Sequence, residues 1–93
     1  MKTVYKYEIA FGDEAIVQIP QNAVLLKFGI QGTTNGKPNI YVWAMVDTEA
    51  RLLPYHFRIF GTGHPIPDFP NEYFVYCDTL FDRNFVWHIF RQL

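Results

Sequence analysis

The residues best suited to chemistry lie close together in FRIFGTGHPIPD, positions 57–68. Alternate side chains of an extended strand share a face. His56, Arg58, Phe60 and Thr62 are therefore expected on one side, with Tyr55, Phe57 and Ile59 turned into the core. The first set places an imidazole, a guanidinium, an aromatic ring and a hydroxyl in a row. Gly61 and Gly63 free the backbone to turn, so that successive N–H groups can converge on an anion. His64 follows at the mouth, and Pro65 and Pro67 stiffen the exit, one of them a candidate cis bond. Arg58 suits a phosphate or carboxylate, while Phe60 or Tyr55 suits a base or ring. The predicted ligand site is Tyr55, His56, Arg58, Phe60, Gly61, Thr62, Gly63 and His64. The same string also reads as a rigid crossover between sheets. Gly-x-Gly here precedes no helix, so it is neither a dinucleotide fingerprint nor a P-loop.

Other chemistry is poorly provided for. The chain contains no serine, which excludes a Ser-His-Asp triad. Cys77 lies mid-strand in YFVYCDTL, where a free cysteine is expected to be a small buried hydrophobe rather than a nucleophile. His56, His64 and His88 are spread along the chain without metal-ligand spacing, and no metal site is predicted. His88 reads as a half-buried strand residue with one satisfied nitrogen. Asp82 reads as a turn residue bonding its own backbone, and Asp13 and Glu14 as solvated turn charges. No cofactor and no enzymatic activity are expected, although His64 with Asp68 is the pair a small nucleotide-processing enzyme would use.

These residues need a scaffold, and the period of the sequence is two almost throughout. Strands are expected over Thr3–Ile9, Ala15–Ile19, Ala23–Gln31, Asn39–Asp47, Tyr55–Thr62, Tyr73–Leu80 and Phe85–Arg91. Pro20 stops the second, because proline cannot donate to a ladder. In the third, Val24, Leu26, Phe28 and Ile30 should share one face. Asn35-Gly36 tolerates the positive φ of a tight hairpin turn. The fourth, NIYVWAMVD, is apolar on both faces, which predicts a central strand covered on both sides. Thr48–Pro54 reads as a loop or one helical turn, and Phe81–Asn84 as a turn. Seven short strands without a substantial helix predict an all-β domain over residues 1–93: a small antiparallel β-sandwich or partly open barrel.

Composition bounds the partners. Apolar residues make up 49% and aromatics 18% of the 93 residues, more than one small core absorbs, which points to a second apolar surface. Trp43 and Trp87 are expected in the core or as an interface anchor. Edge strands that pair with copies of themselves make a homo-oligomer the expected assembly. Eight basic and nine acidic residues give a net charge of −1 with no basic run, which argues against duplex nucleic acid as a partner. No long apolar segment predicts a membrane span or a signal peptide. The lone cysteine fits a reducing, cytoplasmic setting.

Four segments together (VYKYEI, IYVWAMVD, FRIFGTGHPIPD and FVWHIF) resemble a family of short proteins encoded by bacteriophages and prophages, with GTGHPIP the most specific element. The resemblance implies a small accessory protein acting on host systems. Some such proteins are sponges that sequester nucleotide immune signals without cleaving them. The expected function is therefore non-enzymatic counter-defence: binding of a small anionic, nucleotide-like ligand. The alternative is a module that inhibits a host protein through an exposed Tyr/Trp patch.

Overall fold

The computed structural model describes residues 1–68 and 73–93. It contains seven strands: β1 (Lys2–Ile9), β2 (Glu14–Pro20), β3 (Val24–Thr34), β4 (Lys37–Asp47), β5 (Leu52–Gly61), β6 (Phe74–Asp82) and β7 (Phe85–Gln92). All pairings are antiparallel. The strands form two sheets, ordered β1-β4-β3 and β2-β5-β7-β6. The fold is thus the expected all-β sandwich, and it does not close into a barrel. Among the described residues no helix is long and apolar enough to cross a membrane.

The core lies between the sheets. Ile40, Val42, Ala44 and Val46 of β4 meet Tyr55, Phe57 and Ile59 of β5 in one buried cluster. Phe28 contacts Phe57 edge to face, ring centroids 5.8 Å apart, and so joins β3 to the opposite sheet. Period-two alternation drives this directly, since every second side chain of a half-buried strand leaves water.

Turn chemistry sets the hairpins. Asn35 and Gly36 have φ of 53° and 77°, the pair of left-handed residues a two-residue type I′ turn needs, and Thr34 pairs with Lys37 across it. The β6–β7 turn is tighter than the expected four residues. Asp82 still pairs with Phe85, leaving Arg83-Asn84 as the turn, with Arg83 at φ 55°. Asp82 does not bond its own backbone. It is buried, and Arg83 donates to it from Nε at 3.2 Å and from a terminal amino group at 3.3 Å. The same amino group donates to the Gly36 carbonyl at 2.9 Å, tying the two hairpin tips together across the sandwich.

Three further expectations need correction. First, Val24 and Leu26 are not on the core face of β3. A bulge between Leu25 and Lys27 switches the alternation, so Leu25 joins Phe28 and Ile30 inside while Val24 and Leu26 are exposed. One extra residue moves every following side chain to the other face. Second, β4 is central but is covered on only one side within the chain: Tyr41 and Trp43 are half-buried on its outer face and Met45 is exposed. Third, β5 begins at Leu52, not Tyr55, and Thr48–Arg51 is a turn rather than a helical turn. Pro54 is tolerated because β7 pairs with β5 only from His56 onward, so a single ladder, to Gln18 of β2, passes it.

Candidate functional site

Strand β5 delivers the predicted residues to different places. His56, Arg58 and Phe60 lie on the outer face of the four-stranded sheet, opposite Gln92, Phe90 and His88 of β7. Tyr55 lies on the inner face at 3% exposure, and its hydroxyl donates to the Pro20 carbonyl at 3.4 Å. It cannot reach a ligand beside Arg58, because odd and even positions of one strand diverge.

Phe60 is not an open stacking platform either. It is 7% exposed, enclosed edge to face by Phe74 and Phe90 with centroids at 6.2 and 5.8 Å. Tyr76 extends the cluster onto Phe90 at 5.7 Å. The Arg58 guanidinium lies 5.4 Å from the Phe60 centroid and 5.7 Å from that of Phe74. Its Nε donates to the Asp13 carbonyl at 3.0 Å. The aromatic rings and this one hydrogen bond orient a half-exposed cation. Among the described residues no carboxylate stands within ion-pair distance of it.

Beside this cluster runs a chain of side-chain hydrogen bonds. Tyr76 Oη meets Thr79 Oγ1 at 2.7 Å, Thr79 Oγ1 meets His88 Nδ1 at 3.1 Å, and His88 Nε2 meets Thr62 Oγ1 at 2.8 Å. Both nitrogens of His88 are engaged, one more than the sequence suggested. Thr62 is thereby spoken for as a partner of His88.

At Gly61 the chain turns. Thr62 N–H donates to the Val86 carbonyl at 3.2 Å and His64 N–H to the Gly61 carbonyl at 3.0 Å. Those two donors close the turn instead of converging on an anion, a correction to the expected backbone cradle. Gly63 takes φ 83°, as the turn requires. The Pro65 and Pro67 peptide bonds are trans. The turn folds the His64 ring back over Gly61, where a Cβ would meet the ring at 2.7 Å and Trp87 Cζ3 at 3.2 Å. Glycine is required at position 61 for that close approach.

The result is an open depression of about 290 Å³ lined by Asp13, Arg58, Ile59, Phe60, His64, Pro65 and Pro67. It unites Arg58, Phe60 and His64 of the predicted set, and His56, Thr62 and Tyr55 do not line it. Asp13 and the two prolines join instead. On the far side of His64 a second depression of about 280 Å³ is lined by Gly61, Thr62, His64, Asn84, Phe85, Val86 and Trp87. The Trp87 indole N–H is buried with no acceptor among the described residues. Trp87 comes to this place through its pairing with Gly61, a register that no local signal in FVWHIF encodes.

A family model matches residues 1–93. The chain belongs to the family described as a domain of unknown function, DUF7352. No curated protein and no solved structure shows significant similarity to it. Cys77 in this DUF7352 chain is half-buried, and burial pushes its thiol above the ordinary value of 9.0. It is held as a neutral thiol at neutral pH, the opposite of what a nucleophile needs. Among the described residues no group of three His, Cys, Asp or Glu side chains converges on a metal-sized space.

Proposed function

We propose that this chain is a non-enzymatic binding module that holds a small nucleotide-like anion in the depression beside Arg58. The observation that carries the reading is the state of that guanidinium. It is pinned on Phe60 and Phe74 and by the Asp13 carbonyl, at the rim of an open space it shares with His64. A pre-oriented arginine forms charge-assisted bonds to phosphate or carboxylate with little ordering cost. The His64 ring and the rings of Pro65 and Pro67 give flat walls for a base, and the Asp13 carboxylate is an acceptor for a sugar hydroxyl or base N–H. The resemblance to phage-encoded accessory proteins supports sequestration of a nucleotide immune signal as the purpose, with the protein acting as a homo-oligomer in the host cytoplasm.

Titration calorimetry against a panel of mononucleotides, linear oligonucleotides and cyclic nucleotides tests this. At least one should bind, and Arg58→Gln should weaken it about 10- to 100-fold, the range for one lost charge-assisted contact. Absence of binding by every member of the panel to folded protein refutes the reading.

A second reading, inhibition of a host protein, is supported by a different observation. Val4, Met45 and Val24 sit directly opposite one another across the outer face of the three-stranded sheet, exposed beside Trp43. A stoichiometric host protein retained by the wild type and lost with Met45→Glu favours it over nucleotide binding.

A further inference from the structure

The seam between the two sheets holds a second cation, and it faces inward. Arg91 pairs with Phe57 of β5 and Val75 of β6. Phe57 is fully buried in the core, so Arg91 shares the core-facing side. Its guanidinium lies 3.9 Å from the centroid of the buried Tyr55 ring. Its Nε is buried and has no acceptor among the described residues. No carboxylate of the described residues comes within ion-pair distance of it. Arg91 as a whole is half-buried, but a buried N–H left without an acceptor is costly, and such groups are normally paired.

The surroundings define what would pair with it. A groove of about 250 Å³ opens at Arg91, walled by Leu25, Phe28, Val75, Tyr76, Cys77 and Leu93. Apart from Arg91 the walls are apolar side chains, a neutral thiol and Tyr76, whose hydroxyl is engaged by Thr79. Both edges of the groove are shaped by bulges: one between Leu25 and Lys27 turns Leu25 inward, and one between Tyr76 and Asp78 leaves Cys77 as the extra residue. Bulges re-aim side chains and interrupt edge pairing. At the seam Lys27 and Asp78 pair across the two sheets at 3.8 Å, so Asp78 already has a cation partner.

We infer that this seam is a binding site for an alkyl monocarboxylate, a medium-chain fatty acid, with the carboxylate on Arg91 and the chain along Leu25, Phe28 and Val75. The argument is charge complementarity: one inward cation in a groove walled mostly by apolar side chains selects an anion with an apolar tail. A methylene fills roughly the volume of one water, about 30 Å³, so the space takes a head group and a chain of about six to eight carbons. The site is independent of the Arg58 depression, which lies on the outer face of the sheet.

Cys77 lines the groove and reports on it. The rate of Cys77 alkylation by iodoacetamide should fall several-fold in millimolar octanoate. Octylammonium, with the same tail and the opposite charge, should leave the rate unchanged. Arg91→Met keeps the stem on Tyr55 but removes the charge. It should abolish protection by octanoate, read as the ratio of the rates with and without octanoate in the same variant. Arg58→Gln should leave protection intact, which separates this site from the nucleotide reading. No protection of the wild-type protein by octanoate overturns the proposal, and so does equal protection by octanoate and octylammonium. Both decisive comparisons use the wild-type chain, so neither depends on a variant folding.

Discussion

Gly61 shows how much a single residue decides here. It lies at the end of β5, where the backbone leaves the sheet, and both His64 and Trp87 lean on the space its missing side chain leaves. Gly61→Ala should cost about 1–2 kcal/mol, as overpacking a tight contact does. Much of that cost is the displacement of the His64 ring. The same change made in a His64→Ala background should therefore cost less, with a coupling of at least about 0.5 kcal/mol in a double-mutant cycle. Additive effects in urea melts would mean that His64 does not rest on Gly61. Arg58 is decided by its neighbours in the same way: two rings and one carbonyl convert a flexible side chain into a fixed cation. FRIFGTG makes the residue types visible but not the rings, because Phe74 comes from a strand that follows a separate connection.

Between elements, the coupling of the two hairpin tips is the feature that alternation could not foretell. Asp82 is buried, Arg83 neutralises it, and Arg83 reaches the Gly36 carbonyl in the other sheet. Removing Arg83 leaves a shielded carboxylate without its cation and frees the tip of β3–β4. Arg83→Ala should lower stability by about 1–2 kcal/mol, the cost of an unmet polar group moderated by the exposed position of the arginine. Hydrogen exchange around Asn35-Gly36 should rise with it. Unchanged protection at that turn, 47 residues away in the chain, would show that the hairpins are independent. Both bulges also belong to this scale. They move Leu25 inward and set Cys77 at the seam, and a strict period of two places neither.

Across the whole molecule, the sandwich has more apolar surface than its single core consumes. The row Val4, Met45 and Val24 is exposed by 50%, 38% and 49% respectively, on a face where Lys6 and Lys27 flank Trp43. A flat apolar row of this kind fits a second copy of the chain. Sedimentation velocity should show a species heavier than the 10.9 kDa monomer. Met45→Glu should return it to the monomer with an unchanged circular dichroism spectrum. A wild-type protein that stays monomeric across the accessible concentration range removes the homo-oligomer from the proposed function. The four-stranded sheet differs, because its outer face is already occupied by its own cluster of Phe60, Phe74, Phe90 and Tyr76.

What the sequence by itself determined is local. Side-chain alternation made the strands, Asn35-Gly36 made a hairpin, Pro20 ended β2, and the lack of serine excluded a Ser-His-Asp triad. Each of these follows from interactions between residues close together in the chain. The tertiary structure alone decided which cation faces where. Arg58 and Arg91 look alike in the sequence, each in an aromatic strand. Register set by distant partners turns the first outward onto Phe60 and Phe74 and the second inward onto Tyr55. Facing is fixed by which strand pairs with which and where each ladder slips by one residue, and those choices are made by packing across the core, not by neighbours in sequence.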